Sequence, residues 1–254
     1  LETLIIIGNF NSDLNTDNNI KLKFTFVASK LKNMTVIADK TRLLIDSGLD
    51  SDMFNIVCGS DPDLNINYFK KVGRPFAYWI GFENDPFSLE NELIKKGLTT
   101  EETEWAMSAP LQNFAYSIEH DIRTVQSRKE IEDLITVMNT IMPPNERAAI
   151  QSYFTQAAPH LIGKSDLVYY VGYVDKKPMA LASIFCDSKL GSIFDVIVLP
   201  EFRGQGWGKA MTAKAMLEIK GRGLSFAILT ATNDAKFLYK HLGFEEIKCM
   251  KVYK

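Results

Sequence analysis

Three glycines at alternate positions, Gly204, Gly206 and Gly208, stand between an apolar run and an amphipathic stretch. Residues 193–199 are almost wholly apolar and β-branched, which predicts a buried strand. From Lys209 onward, apolar residues recur at helical spacing. Glycine permits a sharp turn and close approach to a ligand, and the first amides of a helix lack intrahelical partners. The stretch therefore predicts a loop that binds an anion.

The residues alone leave two other interpretations of this loop open. A glycine turn before a helix is also typical of a close helix–strand crossing or of a dinucleotide site. Arg203, which begins the turn, is either a cation that contacts the ligand or a solvated loop residue.

The run Arg203-Gly-Gln-Gly-Trp-Gly208 resembles the cofactor loop of the GNAT family of N-acyltransferases, which has Arg or Gln, two residues, Gly, one residue, then Gly or Ala. A second GNAT signature is similar to the stretch after a predicted strand at 225–231, where Leu238-Tyr-Lys-His-Leu-Gly-Phe244 follows. The two signatures occur in the family's order and separation. The resemblance implies the acyl-CoA N-acyltransferase fold of the α/β (α+β) class, with a mixed, mostly antiparallel central sheet flanked by helices.

In that family the loop amides bind the pyrophosphate of acetyl-coenzyme A, and the preceding strand pairs with the pantetheine arm. The resemblance therefore implies acetyl-CoA as cosubstrate, with no metal. Carried over onto this chain, it implies these cofactor-binding residues: Val196, Val198, Arg203, Gly204, Gln205, Gly206, Trp207, Gly208, Lys209, Thr232 and Asn233.

The implied activity is that of an N-acetyltransferase, in which a primary amine of a small molecule or peptide attacks the thioester directly. Tyr239 occupies the position of the family's general-acid tyrosine, which protonates or hydrogen-bonds the leaving thiolate. A buried aromatic residue on a short helix is the alternative interpretation of Tyr239.

The general base is less clearly marked. Asp195 lies within the strand before the glycine loop, where an acidic group is costly to bury without a partner or a role. It is the first candidate, although a carboxylate that caps a neighbouring loop would explain it equally well. The weaker candidates are Glu201, Asp187 and His160, of which the last is expected in an exposed loop.

The chain departs from the family pattern at two positions. Thr232 stands where Asn is common after the second strand, and Asn233 comes one place later, which puts the pantetheine side-chain contact in doubt. Phe194 stands where some members carry a catalytic Glu. Catalysis would then rely on water or on an amine that arrives neutral.

The chain of 254 residues is long enough to form two domains, each with its own hydrophobic core. A faint repeat supports this, because a strand, loop and helix from Phe76 onward echo those from Phe226 onward. We predict an N-terminal lobe at 1–120, GNAT-like but without the cofactor loop, and a GNAT acetyltransferase domain at 121–254. Chance similarity of common strand–helix patterns is the alternative.

Several further elements follow from periodicity and turn residues. Residues 21–30 suit a strand or a short helix. The remaining predictions are an exposed loop at 8–19, hairpins at 34–45 and 167–186, a strand at 53–58, and helices at 64–72, 129–141 and 145–154, the last capped by Asn145.

Composition restricts the class of protein. With 46% hydrophobic residues and a net charge of -2, we expect a soluble protein without affinity for nucleic acid or membrane. Three isolated cysteines fit a reducing cytoplasm, and residues 1–7 do not resemble a signal peptide. The oligomeric state stays open, with a homodimer among the states allowed.

Two functions compete with that of an active enzyme. The first is a regulatory pseudoenzyme that binds acetyl-CoA and acts through a protein partner. The second is a structural or interaction protein that retains only the fold.

Overall fold

The structure is a computed structural model that describes residues 16–39, 42–81, 86–163 and 165–254. Within these ranges the helices are α1 Thr16–Ala28, α2 Pro62–Val72, α3 Pro86–Lys95, α4 Arg128–Ile141, α5 Arg147–Leu161, α6 Trp207–Gly221 and α7 Lys236–Lys240. The strands are β1 Thr35–Ala38, β2 Arg42–Asp46, β3 Ile56–Gly59, β4 Ala77–Ile80, β5 Thr100–Pro110, β6 Asp121–Thr124, β7 Leu167–Val174, β8 Lys177–Cys186, β9 Gly191–Val198, β10 Phe226–Thr232 and β11 Glu245–Tyr253.

The described strands form a single sheet in the order β1-β2-β3-β4-β11-β5-β10-β9-β8-β7-β6. Neighbours run antiparallel except in the β3–β4 and β9–β10 pairs, which are parallel. Helices cover the sheet, with α6 packed on β8 and β9 and α4 packed on α5 and β8. The predicted fold class, a mixed and mostly antiparallel sheet flanked by helices, is confirmed.

The middle of the sheet joins strands from the two halves of the sequence. The long strand β5 lies between β10 and β11, and β11 in turn pairs with β4. The parallel pair β3–β4 followed by antiparallel β11 thus has the same layout as the parallel pair β9–β10 followed by antiparallel β5. Because each pair is completed by a strand from the other half of the sequence, the sheet is continuous across residue 120.

Strands β9 and β10 separate partway along their length. Their parallel pairing covers Gly191–Ile193 against Ala227–Leu229 and then stops. A register shift in the β8–β9 ladder follows at once, and Asp195 within it has a φ of 55°. A bulge of this kind bends one strand away from its neighbour. It opens a gap between the second halves of β9 and β10.

Close packing of α6 on the sheet explains one of the strand glycines. An ideal Cβ at Gly191 would lie 2.3 Å from Cγ2 of Ile219, a distance far shorter than van der Waals contact. Glycine therefore lets the fully buried face of α6 approach β9.

Many predicted elements agree with the structure. The β1–β2 and β7–β8 hairpins form as expected, and in the second Asp175 and Lys176 take φ values of 48° and 65°, typical of a two-residue turn of type I′. Helix α2 ends at Gly73 in the left-handed conformation. Helix α4 begins at Ser127, whose hydroxyl accepts from the Glu130 amide.

Four predictions of local structure were wrong in part. Residues 16–19 are helical, because α1 buries Asn19 and Ile20, whereas 8–15 lie outside the described residues. Strand β3 begins at Ile56, not at 53. Helix α5 begins after Glu146, without an Asn145 cap, and continues through Pro159 to Leu161, because its last turns bury apolar side chains. His160 consequently lies in a helix and not in a loop.

Candidate active site

The glycine loop leaves a row of backbone amides without acceptors. Gly204 and Gly206 have φ values of 75° and 81°, which L side chains rarely adopt. The first bond of α6 runs from the Ala210 amide to the Gly206 carbonyl at 3.0 Å. In the described part of the chain, no acceptor pairs with the amides of 204–209. Free amides at a helix N-terminus favour an anionic group.

These amides border a groove of about 630 Å³. It runs between the separated strands and helices α6 and α7, and its walls include Val196, Val198, Arg203, Gly204, Gly206, Trp207, Gly208, Lys209, Thr232 and Tyr239. An added Cβ at Gly204 would meet no atom within 4 Å, so the loop faces open space. The groove therefore has the room and the donors that a nucleotide-linked diphosphate needs.

Other predicted cofactor residues have partners within the protein. Arg203 donates from Nε to the Val198 carbonyl at 3.0 Å, and Gln205 donates to the Glu201 carbonyl at 3.2 Å. Asn233 accepts from the Trp105 indole at 2.8 Å. Gln205 and Asn233 do not line the groove.

Trp207 contributes its backbone to the loop while its ring points into the protein. The side chain is buried and packs edge-on against His120, with ring centroids 4.3 Å apart. The ring also lies under strand β7, because an ideal Cβ at Gly172 would be 2.9 Å from its Cζ3 atom. Trp207 therefore anchors the start of α6, and with it the glycine loop, to the core.

Tyr239 lies on α7 at the junction of the groove and a second cavity. Only 6% of the residue is exposed, and its ring packs against Phe244 with centroids 6.0 Å apart. Burial, and then the charge of Glu104, raise the pKa of Tyr239 to about 12. The hydroxyl is protonated at neutral pH and is available as a hydrogen-bond donor.

Asp195 lies in the wall of the same second cavity, at the bulge of β9. Its Oδ2 atom accepts a hydrogen bond from Ser183 at 2.7 Å and lies 3.8 Å from Nζ of Lys23. The carboxylate is therefore near the gap between the strands, but it already has a hydroxyl and an ammonium as partners.

The three weaker base candidates lie elsewhere. Asp187 accepts from the Lys189 and Leu190 amides and from Asn19, and thereby holds the turn between β8 and β9. Glu201 is exposed in the turn after β9. His160 borders a separate open cavity beside α5. None of the three lines the groove or the cavity beside Tyr239.

Sequence reasoning missed Glu104. This residue lies on β5, directly opposite Thr232 of β10, and it faces the cavity beside Tyr239. Its Oε2 atom is buried and, among the described residues, has no hydrogen-bond partner. Burial raises the pKa of the carboxyl to about 6, the charge of Glu102 adds to this, and a hydrogen bond with Thr230 opposes it. The only sequence signal was an acidic residue at the start of a buried run.

Two classes of feature are absent from the described ranges. None of their helices combines the length and apolar content of a bilayer span. They also contain no group of three or more His, Cys, Asp or Glu side chains arranged to hold a metal ion.

Comparison with known proteins finds a family match and relatives for part of the chain. Residues 165–246 match the family described as Acetyltransferase (GNAT) domain. A stretch of 64 residues is 33% identical to the ribosomal protein bS18 alanine N-acetyltransferase of Haemophilus influenzae, over 24% of this chain and 44% of that protein. Another of 72 residues is 35% identical to GCN5-related N-acetyltransferase 2, chloroplastic, of Arabidopsis thaliana, over 28% of each. The chain spans less than half the length of these curated relatives.

Solved structures resemble the chain over most of its length. A GCN5-related N-acetyltransferase from Kribbella flavida superposes with a TM-score of 0.69 at 16% identity, over 94% of this chain and 95% of that one. A GCN5-related N-acetyltransferase-like protein from Streptococcus suis gives 0.57 at 17% identity, over 91% and 92%. These likenesses concern the fold. The match to the GNAT family model, over a stretch that contains the glycine loop, shows a GNAT acetyltransferase domain at residues 165–246.

Proposed function

We propose that the protein transfers the acetyl group of acetyl-CoA to a primary amine of a small molecule or peptide. The observation that carries the proposal is the row of free amides at 204–209, which faces a groove that ends at Tyr239. A diphosphate suits the amides, and the gap between β9 and β10 suits an extended arm that needs backbone partners.

The residues proposed to hold acetyl-CoA are those of the groove. The amides from Gly204 to Lys209 would bind the pyrophosphate, and the side chains of Arg203 and Lys209 would add positive charge. Val196 and Val198 would offer backbone groups, since β10 no longer pairs with β9 at that point. The bound cosubstrate supplies an acetyl group already activated as a thioester.

Tyr239 is proposed to donate a hydrogen bond to the departing sulfur. A tyrosine with a pKa of about 12 holds its proton more firmly than a thiol of pKa about 8.5. The hydroxyl therefore stabilises the thiolate chiefly as a donor in a buried site, where a hydrogen bond to charge is strong.

The acceptor and the cellular setting are further proposals. The name of the Haemophilus relative refers to an alanine of a ribosomal protein, which keeps a peptide amine among the acceptors. Three predictions from the sequence stay proposals: a domain division at residue 120, a cytoplasmic location and a homodimer. The GNAT match at 165–246 favours an enzyme, and no observation favours the regulatory alternative.

The binding step is tested by calorimetry with coenzyme A. Replacement Gly206→Glu places a carboxylate where the diphosphate would lie, and we expect binding to be lost. Gly223→Glu is the matched control, since Gly223 has a φ of 80° and no atom within 4 Å of an added Cβ but lies at the far end of α6. Equal affinity in both variants, or no binding to the unmodified protein, would contradict the proposal.

The chemical step is tested by release of free thiol from acetyl-CoA with a panel of small amines and short peptides. The proposal predicts turnover that depends on an added amine. Binding of coenzyme A without turnover of any amine would instead favour the regulatory alternative.

A further inference from the structure

A second cavity, of about 430 Å³, opens onto the proposed acetyl-CoA groove. The two share Val196, Thr232, Ala235 and Tyr239 as walls. A molecule in this cavity would therefore meet the end of the groove beside the tyrosine hydroxyl. Its volume is in the range of small-molecule sites and well below what a folded partner requires.

Both halves of the sequence build this cavity. Residues of α1, β3, β4, β5 and the segment 52–53 form one part of the wall, and residues of β9, β10, α7 and β11, with Ala235 and Lys254 beside them, form the rest. The contribution of β5 depends on its position between β10 and β11. The cavity therefore forms only because strands from the two halves of the sequence lie side by side in the sheet, and neither half alone contains it.

Much of the wall is apolar and aromatic. Phe24 and Trp79 pack against each other with ring centroids 5.3 Å apart, and Phe194 borders the same space. A smaller void of about 70 Å³, which shares Phe24 with the cavity, continues it towards Tyr153 and Phe154. Such a surface stabilises an apolar or aromatic body by removing it from water.

The charged part of the wall is predominantly acidic. It contains two lysines and five carboxylates: Lys23, Lys254, Asp52, Glu101, Glu102, Glu104 and Asp195. Lys254 lies 3.1 Å from Asp52 and 2.9 Å from Glu101, and Lys23 lies 3.8 Å from Asp195. Within the described residues, these ion pairs leave out Glu102 and Glu104. The potential in the cavity therefore favours a cation.

Glu104 is the carboxylate of this wall that interacts with Tyr239. Its negative charge is one cause of the high tyrosine pKa, and both side chains border the cavity, which Tyr239 shares with the groove. Four other groups face it: Glu102 on its own strand, Lys23 on α1, Thr230 on β10 and Tyr239 on α7. The buried Oε2 atom has no partner among the described residues, so one acceptor is available for an N–H donor.

We infer that this cavity binds the acyl acceptor as a primary ammonium ion on an apolar or aromatic body, and that Glu104 removes the ammonium proton. The inference rests on the proposed acetyl transfer, because it assigns the acceptor side of that reaction. Asp195 is the competing base, but its Oδ2 atom already accepts a hydrogen bond from Ser183 and lies near the Lys23 ammonium.

The proposed step balances without another reactant. Glu104 takes one proton from the ammonium ion, directly or through water, and the freed nitrogen lone pair attacks the thioester carbonyl. The C–N bond forms and the C–S bond breaks, and the thiolate, hydrogen-bonded by Tyr239, becomes the free thiol. The second proton, which leaves the nitrogen as the amide forms, is taken up by the thiolate, and Glu104 later returns its proton to water. The net products are the acetamide, coenzyme A and one proton released to water.

The binding half of the inference is tested without acetyl-CoA, by calorimetry of phenethylamine and of 3-phenylpropionate, which has a similar body and the opposite charge. We expect the amine to bind and the acid not to bind. In Glu104→Gln the amine should bind about tenfold more weakly or worse at pH 8, because a charged hydrogen bond is lost. Equal binding of the acid, or unchanged amine affinity in the variant, would overturn the inference.

Proton counting supplies a second readout that does not depend on turnover. At pH 6, where Glu104 is about half protonated, a bound cation ionises it and releases about half a proton to the buffer. Repeating the titration in buffers of different ionisation enthalpy measures this release. It should vanish in Glu104→Gln and persist in Glu245→Gln, an exposed carboxylate outside the cavity. Release that persists in both variants would contradict the assignment of the proton to Glu104.

The catalytic half is tested by the pH profile of kcat/KM for phenethylamine. Because only ionised Glu104 accepts a proton, kcat/KM should fall as the pH drops below about 6, and this fall is the acidic limb of the profile. In Glu104→Gln, kcat/KM should be about 10²-fold lower and the acidic limb should disappear. Asp195→Asn should retain the limb. The inference fails if Asp195→Asn loses the limb while Glu104→Gln keeps it. If the unmodified protein binds phenethylamine but not coenzyme A, the proposed function fails and the cation site stands.

Discussion

Replacing Glu104 by glutamine should make the protein more stable at neutral pH, because the native structure holds this carboxyl where ionisation is costly. Burial raises its pKa from 4.5 to about 6. Each pKa unit corresponds to about 1.4 kcal/mol, so the ionised carboxylate reduces the free energy of unfolding by about 2 kcal/mol. Glutamine keeps the shape and can retain the hydrogen bond with Thr230, but it carries no charge.

The sign of the effect depends on pH in a defined way. Below pH 4.5 the carboxyl is protonated in both the folded and unfolded states, and it costs nothing. As pH rises from 4.5 to 6 the unfolded chain ionises first, so the wild-type protein loses stability relative to Glu104→Gln. Above pH 6 the difference is constant. A buried acid poised for proton transfer therefore lowers native stability, as functional groups commonly do.

The assay is urea unfolding followed by tryptophan fluorescence at several pH values between 4.5 and 8. The stability gain of Glu104→Gln should grow from near zero to about 2 kcal/mol across that window, whereas Glu245→Gln should show no such growth. The reasoning would be refuted by a gain that does not change with pH, or by a loss of stability at pH 8.

The remaining predictions concern the tyrosine and two packed glycines. Tyr239→Phe should lower kcat about 10²-fold and leave the affinity for coenzyme A unchanged, measured by thiol release and calorimetry; an unchanged kcat would remove the tyrosine from the mechanism. Gly172→Ala pushes a methyl group against the Trp207 ring and should destabilise by about 1–3 kcal/mol while weakening coenzyme A binding, because that ring anchors the glycine loop. Gly191→Ala should cost a similar amount of stability in urea unfolding. It should leave the affinity for coenzyme A intact, because its clash with Ile219 is remote from the loop. Equal effects of the two alanine substitutions on coenzyme A affinity would contradict this prediction.

Most of the local structure followed from the sequence because it depends on short-range chemistry. Alternation and turn residues predict the hairpin at Asp175 and Lys176, and glycines predict both the end of α2 and the turn before α6. The exceptions have a tertiary cause. Helix α5 continues past Pro159 because its last turns are buried, and periodicity within a short window does not contain that information.

Some features of the candidate site were likewise predictable from the sequence, and others depend on the tertiary structure. Groups that are neighbours in sequence, such as Arg203 and the glycine residues, line one groove, and the resemblance to the GNAT loop had grouped them before the fold was known. The partner of Asn233 could not be predicted, because Trp105 is 128 residues distant. Strand pairing over such a distance is selected by the packing of the whole sheet, not by the pattern of either strand.

The sequence by itself thus determined the glycine turn and the strand and helix that flank it, since each depends on backbone chemistry within a few residues. Tyr239 became a candidate only through the resemblance of its stretch to the GNAT signature. The tertiary structure alone decided that β5 lies between β10 and β11. That placement turns Glu104 towards Tyr239 and buries one of its oxygens. An acidic residue becomes a candidate proton acceptor only when the surrounding fold removes its water, and that surrounding comes from distant parts of the chain.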